Sequence, residues 1–291
     1  LLFWHTAFIL MNIIIIGAGV VSGIERIVRL LMPMLFVLMI VMVVNSIING
    51  DFARGLSFLF APNFSDVTPA TFLSAMGQAF FSLSLGMGSI MCYGAYMPKD
   101  ENVFNTSLTV CGLDTLIAIM AGLAIFPIIF AYGLEPDAGP SLVFISLLSV
   151  FWDMPFGNYI GPVFFILLSV AALSSSISLL EPSVAFLSEE KIFSRKSASI
   201  ILGLIAWFLG IGSLLSFNLW SEVNIIGDLN FLNSMDFLAN QFLMPLGGMF
   251  VAIFAGWFLS TKIIKEELEP GQKKIFIVWK FFIKFISPTL V

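Results

Sequence analysis

Apolar residues fall into long unbroken runs along this chain, without the alternation of half-buried strands or the narrow stripe of surface helices. Runs of about 20 residues are the length that crosses a bilayer as a helix. Runs near 3–20, 32–48, 72–97, 103–132, 160–187, 199–216 and 231–260, with an incomplete one from 275, predict about eight transmembrane segments. The longer runs exceed the bilayer core, so tilt, kinks or protruding ends are expected. One run should break. Residues 67–96 carry no charge, yet the middle reads Ser84-Leu85-Gly86-Met87-Gly88. Each Gly there costs about 1 kcal/mol relative to Ala, and Ser competes for backbone hydrogen bonds. A break at that depth strands amides and carbonyls that hydrocarbon cannot satisfy, so the segment should line a polar site.

Charge gives the runs an orientation. Alternate loops hold Arg26 and Arg29, then Lys99, then Lys191, Arg195 and Lys196, then Lys262, Lys265, Lys273 and Lys274. The intervening loops hold Arg54 against Asp51, Asp66, Glu135, Asp137, Asp153, Glu222 and Asp228. The basic set is therefore cytoplasmic, with Lys280 and Lys284 at the inner start of the last helix. The external loop 49–71 carries an Ala61-Pro62-Asn63-Phe64 turn signal. In loop 135–158, Gly139-Pro140 precedes an apolar stretch, 141–151, too short to cross and read as a re-entrant or capping helix. The loop 262–274 reads as an ordinary solvated connection.

Composition agrees with a polytopic membrane protein: 59% hydrophobic and 11% charged residues, with a mean hydropathy of +1.04, against about 25% charged in soluble domains. Cys92 and Cys111 both lie in apolar runs and form neither a disulfide nor a metal framework. No Gly-x-Ser-x-Gly elbow, phosphate loop or nucleic-acid patch is present, which argues against an enzyme. The chain opens inside one hydrophobic run and stops inside another, so it reads as a piece cut from a longer protein.

Three polar features sit near the middle of apolar runs. Asp114, alone in an uncharged stretch from 103 to 134, lies roughly 15 Å into a ~30 Å core. A carboxylate there is expensive unless paired with an ion or donors; the competing reading is a protonated Asp hydrogen-bonded to a neighbouring helix. Ser174-Ser175-Ser176 offers hard oxygen ligands at a similar depth, although serines also join membrane helices. With Ser82 and Ser84, these predict an ion and substrate site between helices. Glu181-Pro182 reads as a packing or inner-gate element where Pro could bend the helix. Asp236 should lie at the outer mouth. His5, the single histidine, reads as packing.

At residues 78–88, Gln-Ala-Phe-Phe-Ser-Leu-Ser-Leu-Gly-Met-Gly resembles the broken sixth helix of the neurotransmitter:sodium symporter family, in its bacterial amino-acid transporter branch. Ser22-Gly23-Ile24-Glu25-Arg26 with Met32-Pro33 resembles the entry to the fifth helix, where Gly-x9-Pro spacing is associated with unwinding. Ala171-Ala172-Leu173-Ser174-Ser175-Ser176 and Glu181-Pro182 resemble the eighth helix, and Ser234-Met235-Asp236-Phe237 the start of the tenth. The resemblance implies an all-α, LeuT-like inverted-repeat fold, with this chain as one transmembrane domain running from the fourth to the start of the eleventh helix.

It also implies roles. Phe81 matches the aromatic lid over the substrate, and Ser84 a backbone and side-chain contact; Gly86, Met87, Leu179 and Ser175 complete the implied substrate set. Ser82 matches a hydroxyl ligand of a first sodium. Ala171, through its carbonyl, Ser174 and Ser175 match ligands of a second. Asp114 stands where much of the family has Asn as a first-sodium ligand, and Ala118 lacks the hydroxyl that chloride-dependent relatives use. Transport independent of chloride is therefore expected, with proton antiport if Asp114 titrates. Asp236 resembles the acidic half of an external gate, and Tyr96 and Glu189 parts of an internal gate. Two Na⁺ sites, each completed by helices outside this sequence, and a small amino-acid substrate follow from the same resemblance. The implied function is sodium-coupled amino-acid symport in the cell (inner) membrane. The alternatives are a passive channel, which should show a continuous polar stripe, or a transport-dead sensor on the same scaffold; a related fold carrying another substrate, such as a nucleobase, matches fewer motifs.

Overall fold

The computed structural model describes residues 1–19, 26–98, 101–136, 142–153, 156–267 and 273–290. Lys99, Asp137, Gly139-Pro140 and the Ser22–Glu25 part of the fifth-helix motif lie outside the described residues. The helices are α1 (Leu2–Gly17), α2 (Arg26–Asn49), α3 (Phe52–Phe60), α4 (Pro69–Ser82), α5 (Ser89–Ala95), α6 (Val103–Ala131), α7 (Leu147–Asp153), α8 (Gly157–Glu189) and α9 (Arg195–Leu215). A short hairpin, β1 (Asn224–Ile226) with β2 (Leu229–Asn230), follows. Then come α10 (Phe231–Leu238), α11 (Met244–Ile253), α12 (Thr261–Glu267), α13 (Lys273–Phe281) and α14 (Ser287–Leu290). Five helical stretches among the described residues are long and apolar enough to span a membrane, 32–49, 103–131, 157–189, 195–215 and 231–258. The last runs through π-helical turns at Ala239–Leu243 and Phe254–Phe258. The run at 72–97 is divided into α4 and α5, as the glycines predicted.

The residues cluster into two compact units. One comprises Val20–Val67 and Gly112–Ser176. Its core joins Met39 and Met42 of α2, Ile128 and Ile129 of α6, Leu147, Val150 and Phe151 of α7, and Phe164 and Leu167 of α8. Pro127 organises one edge of it. Its ring removes the amide that would pair with the carbonyl of Leu123, four residues back. That orphan carbonyl accepts the Ser46 hydroxyl at 2.7 Å, and the carbonyl of Pro127 accepts the Asp51 amide at 2.8 Å. Asp51 then caps α3 by accepting from the Arg54 amide at 3.1 Å. The loop 49–71, in which the sequence showed a turn signal, therefore holds a helix. Arg54 lies 4.4 Å from the Phe130 ring centre, and of the stretch 141–151 read as a short non-crossing helix the described residues, 142–151, are helical, the helix running on to Asp153.

The other unit comprises Leu1–Gly19, Thr68–Cys111 and Ile177–Val291. In it α1 lies along α9. Gly203 and Gly210 leave room for Ile13 and His5, so the backbones approach closely, as small residues permit in membranes. The His5 Nε2 lies 3.0 Å from the Trp207 carbonyl, and Trp207 Nε1 donates to Thr6 Oγ1 at 3.0 Å. His5 is a packing residue. Leu10, Ile14, Leu204 and Phe208 of this pair are exposed, as on helices whose outer solvent is lipid.

Candidate functional site

The break in α4–α5 is built from left-handed backbone. Ser84, Gly86 and Gly88 have φ of 53°, 78° and 82°. The end of α4 closes on itself, with Leu83, Ser84 and Leu85 amides donating to Ala79, Phe81 and Phe80 carbonyls at 3.1, 3.1 and 2.8 Å. Ser84 adopts a conformation that costs a non-glycine residue about 1–3 kcal/mol, and such strain collects at functional positions. The turn is clasped by α11. A Cβ on Gly86 would meet the Met244 carbonyl and the Gly248 amide nitrogen, the latter at 2.8 Å, and one on Gly247 would meet the Gly86 backbone. Gly248 also makes room for the Phe80 ring. The Gly247-Gly248 pair thus lets α11 approach the break this closely.

On its other side the second half, α5, is keyed to α8 through Pro182. The helix α8 continues through this proline. The missing amide frees the carbonyl of Ser178, four residues back, and that carbonyl accepts the hydroxyl of the fully buried Ser89, first residue of α5, at 2.9 Å. Gly88 sits against the Pro182 ring, where a Cβ would lie 3.3 Å from it. One turn further, Tyr93 Oη and Ser178 Oγ are 2.8 Å apart. At the end of α5, Tyr96 donates to Glu181 Oε1 at 3.2 Å. Glu181 is fully buried and takes Arg195 Nη2 on both carboxylate oxygens, at 2.7 and 2.6 Å. The Arg195 Nε donates at 2.9 Å to the Ile16 carbonyl in the last turn of α1. Ser89, Tyr93 and Tyr96 lie at the spacing of one helix face. Four helices are tied to one buried carboxylate.

The residues singled out in the sequence are distributed as follows. Phe81 and Leu179 are about half exposed, at 53% and 50%; Ser82 is exposed, and Ser84, Gly86 and Met87 are partly buried within the turn. Asp114 is partly buried on α6. On α8 the Ser174 hydroxyl donates to the Ala171 carbonyl at 2.9 Å, and Ser175 is exposed. Asp236 is exposed and accepts from Asn240 Nδ2 at 2.7 Å. Tyr96 joins Glu181, whereas Glu189 is exposed at the end of α8. A cavity of about 870 Å³ beside α5 and the start of α6 is lined by Leu85, Ile90, Tyr93, Thr106 and Val110, with Glu101 and Glu266 as its acids. None of the residues singled out for substrate or sodium lines it.

The model of the sodium:neurotransmitter symporter family matches residues 2–291. An uncharacterized sodium-dependent transporter of Haemophilus influenzae is 37% identical over 294 residues, covering 100% of this chain and 64% of that protein. The uncharacterized sodium-dependent transporter YhdH of Bacillus subtilis is 33% identical over 287 residues, covering 98% and 63%. The crystal structure of MhsT in complex with L-phenylalanine superposes with a TM-score of 0.92 at 44% identity, covering 99% of this chain and 66% of that one. The chain spans just under two thirds of the length of these relatives. It is a multi-pass membrane protein with a LeuT-like fold, and it belongs to the sodium:neurotransmitter symporter family.

Proposed function

We propose that the protein is a sodium-coupled secondary active symporter of amino acids, working by alternating access in the cell (inner) membrane. The observation that carries this reading is the break at 83–88, held open by strained backbone and clasped by glycines and a proline on other helices. Discontinuous membrane helices of this kind hold substrates and coupling ions near the bilayer midplane. The relatives' sodium dependence supports the coupling ion, and the phenylalanine bound to MhsT supports a large hydrophobic or aromatic amino acid.

In this reading Ser84 and Gly86 offer backbone and hydroxyl groups to the amino acid's polar end. Phe81 covers it, and Met87 and Leu179 bound the side-chain compartment beside Ser175; a flexible Met suits adaptable packing. The Ala171 carbonyl and Ser174 hydroxyl already bring two hard oxygens within 2.9 Å, a donor pair suited to an alkali cation, and Ser175 would add a third. Ser82 and Asp114 are the ligands proposed for the other sodium. Bound Na⁺ would supply positive charge for the substrate carboxylate. Tyr96 and Arg195, both on Glu181, would hold the inner half closed, with Glu189 beyond them and Asp236 at the outer gate.

Asp114 decides the anion requirement. A fixed carboxylate beside Na⁺ supplies the negative charge that chloride provides elsewhere, and Ala118 has no hydroxyl to hold chloride. Uptake by the intact protein should therefore be unchanged when gluconate replaces chloride, whereas Asp114→Asn should lose most of it. A large loss in gluconate would remove the assignment.

A further inference from the structure

Within and just after the connection 262–274, read from sequence as a solvated loop, three lysines lie against aromatic rings. Lys265 and Lys280 approach one ring, their Nζ atoms 5.3 and 5.9 Å from the centre of Phe276. Lys280 also donates to Thr261 Oγ1 at 2.8 Å. Lys284 lies 4.1 Å from the Trp257 ring centre and 5.6 Å from that of Phe285, and Trp257 Nε1 donates to the Lys284 carbonyl at 3.2 Å. Two ammonium groups thus share one aromatic ring, and a third, four residues on from Lys280 in the same helical stretch, lies over rings of its own. Among the described residues none of the three is paired with a carboxylate, while Glu266 faces Lys262 at 3.9 Å. Residues 261–284 hold six lysines against three glutamates. Like charges brought together repel, and an anion among them turns the repulsion into attraction.

We infer that Lys265, Lys280 and Lys284 form a binding site for the phosphate of an anionic phospholipid. A lipid is favoured over a soluble anion by what adjoins the lysines. Trp257, Phe281 and Phe282 are 57%, 53% and 52% exposed and give acyl chains an apolar surface, with Trp suited to the headgroup level. The positive-inside pattern puts this end at the cytoplasmic leaflet, where anionic lipids attract juxtamembrane lysines.

The test is native mass spectrometry of the intact protein with short-chain phosphatidylglycerol or phosphatidylcholine. Phosphatidylglycerol should be retained selectively, and Lys265→Gln or Lys280→Gln should each weaken it about fivefold. Lys262→Gln should leave it unchanged. In the unmodified protein, rising salt should release phosphatidylglycerol, a readout that requires no variant to fold. Equal retention of phosphatidylcholine, insensitivity to salt and to both substitutions, or displacement by inorganic phosphate at the lipid's own concentration would each overturn the inference. So would a second copy of the chain or another helix occupying the site, seen as a changed oligomeric mass or as no lipid retained.

Discussion

Glu181→Ala should destabilise the intact protein by about 3–5 kcal/mol, the cost of removing one partner from a buried ion pair. The Glu181 side chain is 1% exposed and that of Arg195 23%, so the guanidinium left behind loses its carboxylate while staying tied to the Ile16 carbonyl. Tyr96 loses its acceptor in the same step. If the network acts as a unit, Glu181→Met combined with Arg195→Met should be far milder than either single change, because a hydrophobic pair of similar volume carries no uncompensated charge. Unfolding in detergent, with the double-mutant cycle, measures both effects. A near-neutral Glu181→Ala would show that the carboxylate does not hold these helices together.

Gly86→Ala should abolish transport and most folded protein. At φ 78° an L side chain is strained by about 1–3 kcal/mol. Its Cβ would also press on the Met244 carbonyl and on the Gly248 amide at 2.8 Å, backbone atoms that cannot rotate away, and overpacking of that kind adds about 1–3 kcal/mol. Gly77→Ala is the matched control, since among the described residues nothing lies within 4 Å of its Cβ, and it should be tolerated. The yield of monodisperse protein and the uptake rate separate the two. Parent-like uptake by Gly86→Ala would show that α11 does not clasp the break as described.

The fold was largely legible in the sequence because bilayer length and midhelix glycines leave direct marks. Residues 84–88 could be read as a break from residue type alone, and the structure has three left-handed residues there, Ser84, Gly86 and Gly88. Helix α3 was missed because nine amphipathic residues in a loop give no bilayer-length signal. Its marks were present nonetheless, Asp51 at the cap and Pro62 past the end. Arg195 looked like one more cytoplasmic charge, since only the folded chain turns it back onto a carboxylate fourteen residues earlier. Pro182 was read as a place where the helix could bend; what the sequence did not show is that the carbonyl it frees serves as an acceptor for Ser89. Gly247 and Gly248 were overlooked because a close backbone contact is a property of two segments far apart in sequence. The proposed sodium ligands rest on family resemblance for a similar reason: a backbone carbonyl, as proposed at Ala171, leaves no residue-type signal.

Coupling to sodium is measured most directly as uptake of labelled large hydrophobic amino acids by proteoliposomes containing the intact protein under an inward Na⁺ gradient. Accumulation above the external concentration, collapsing when choline replaces Na⁺ or an ionophore dissipates the gradient, is the predicted result. Equilibration without accumulation and regardless of Na⁺ would mark a passive channel and contradict the account.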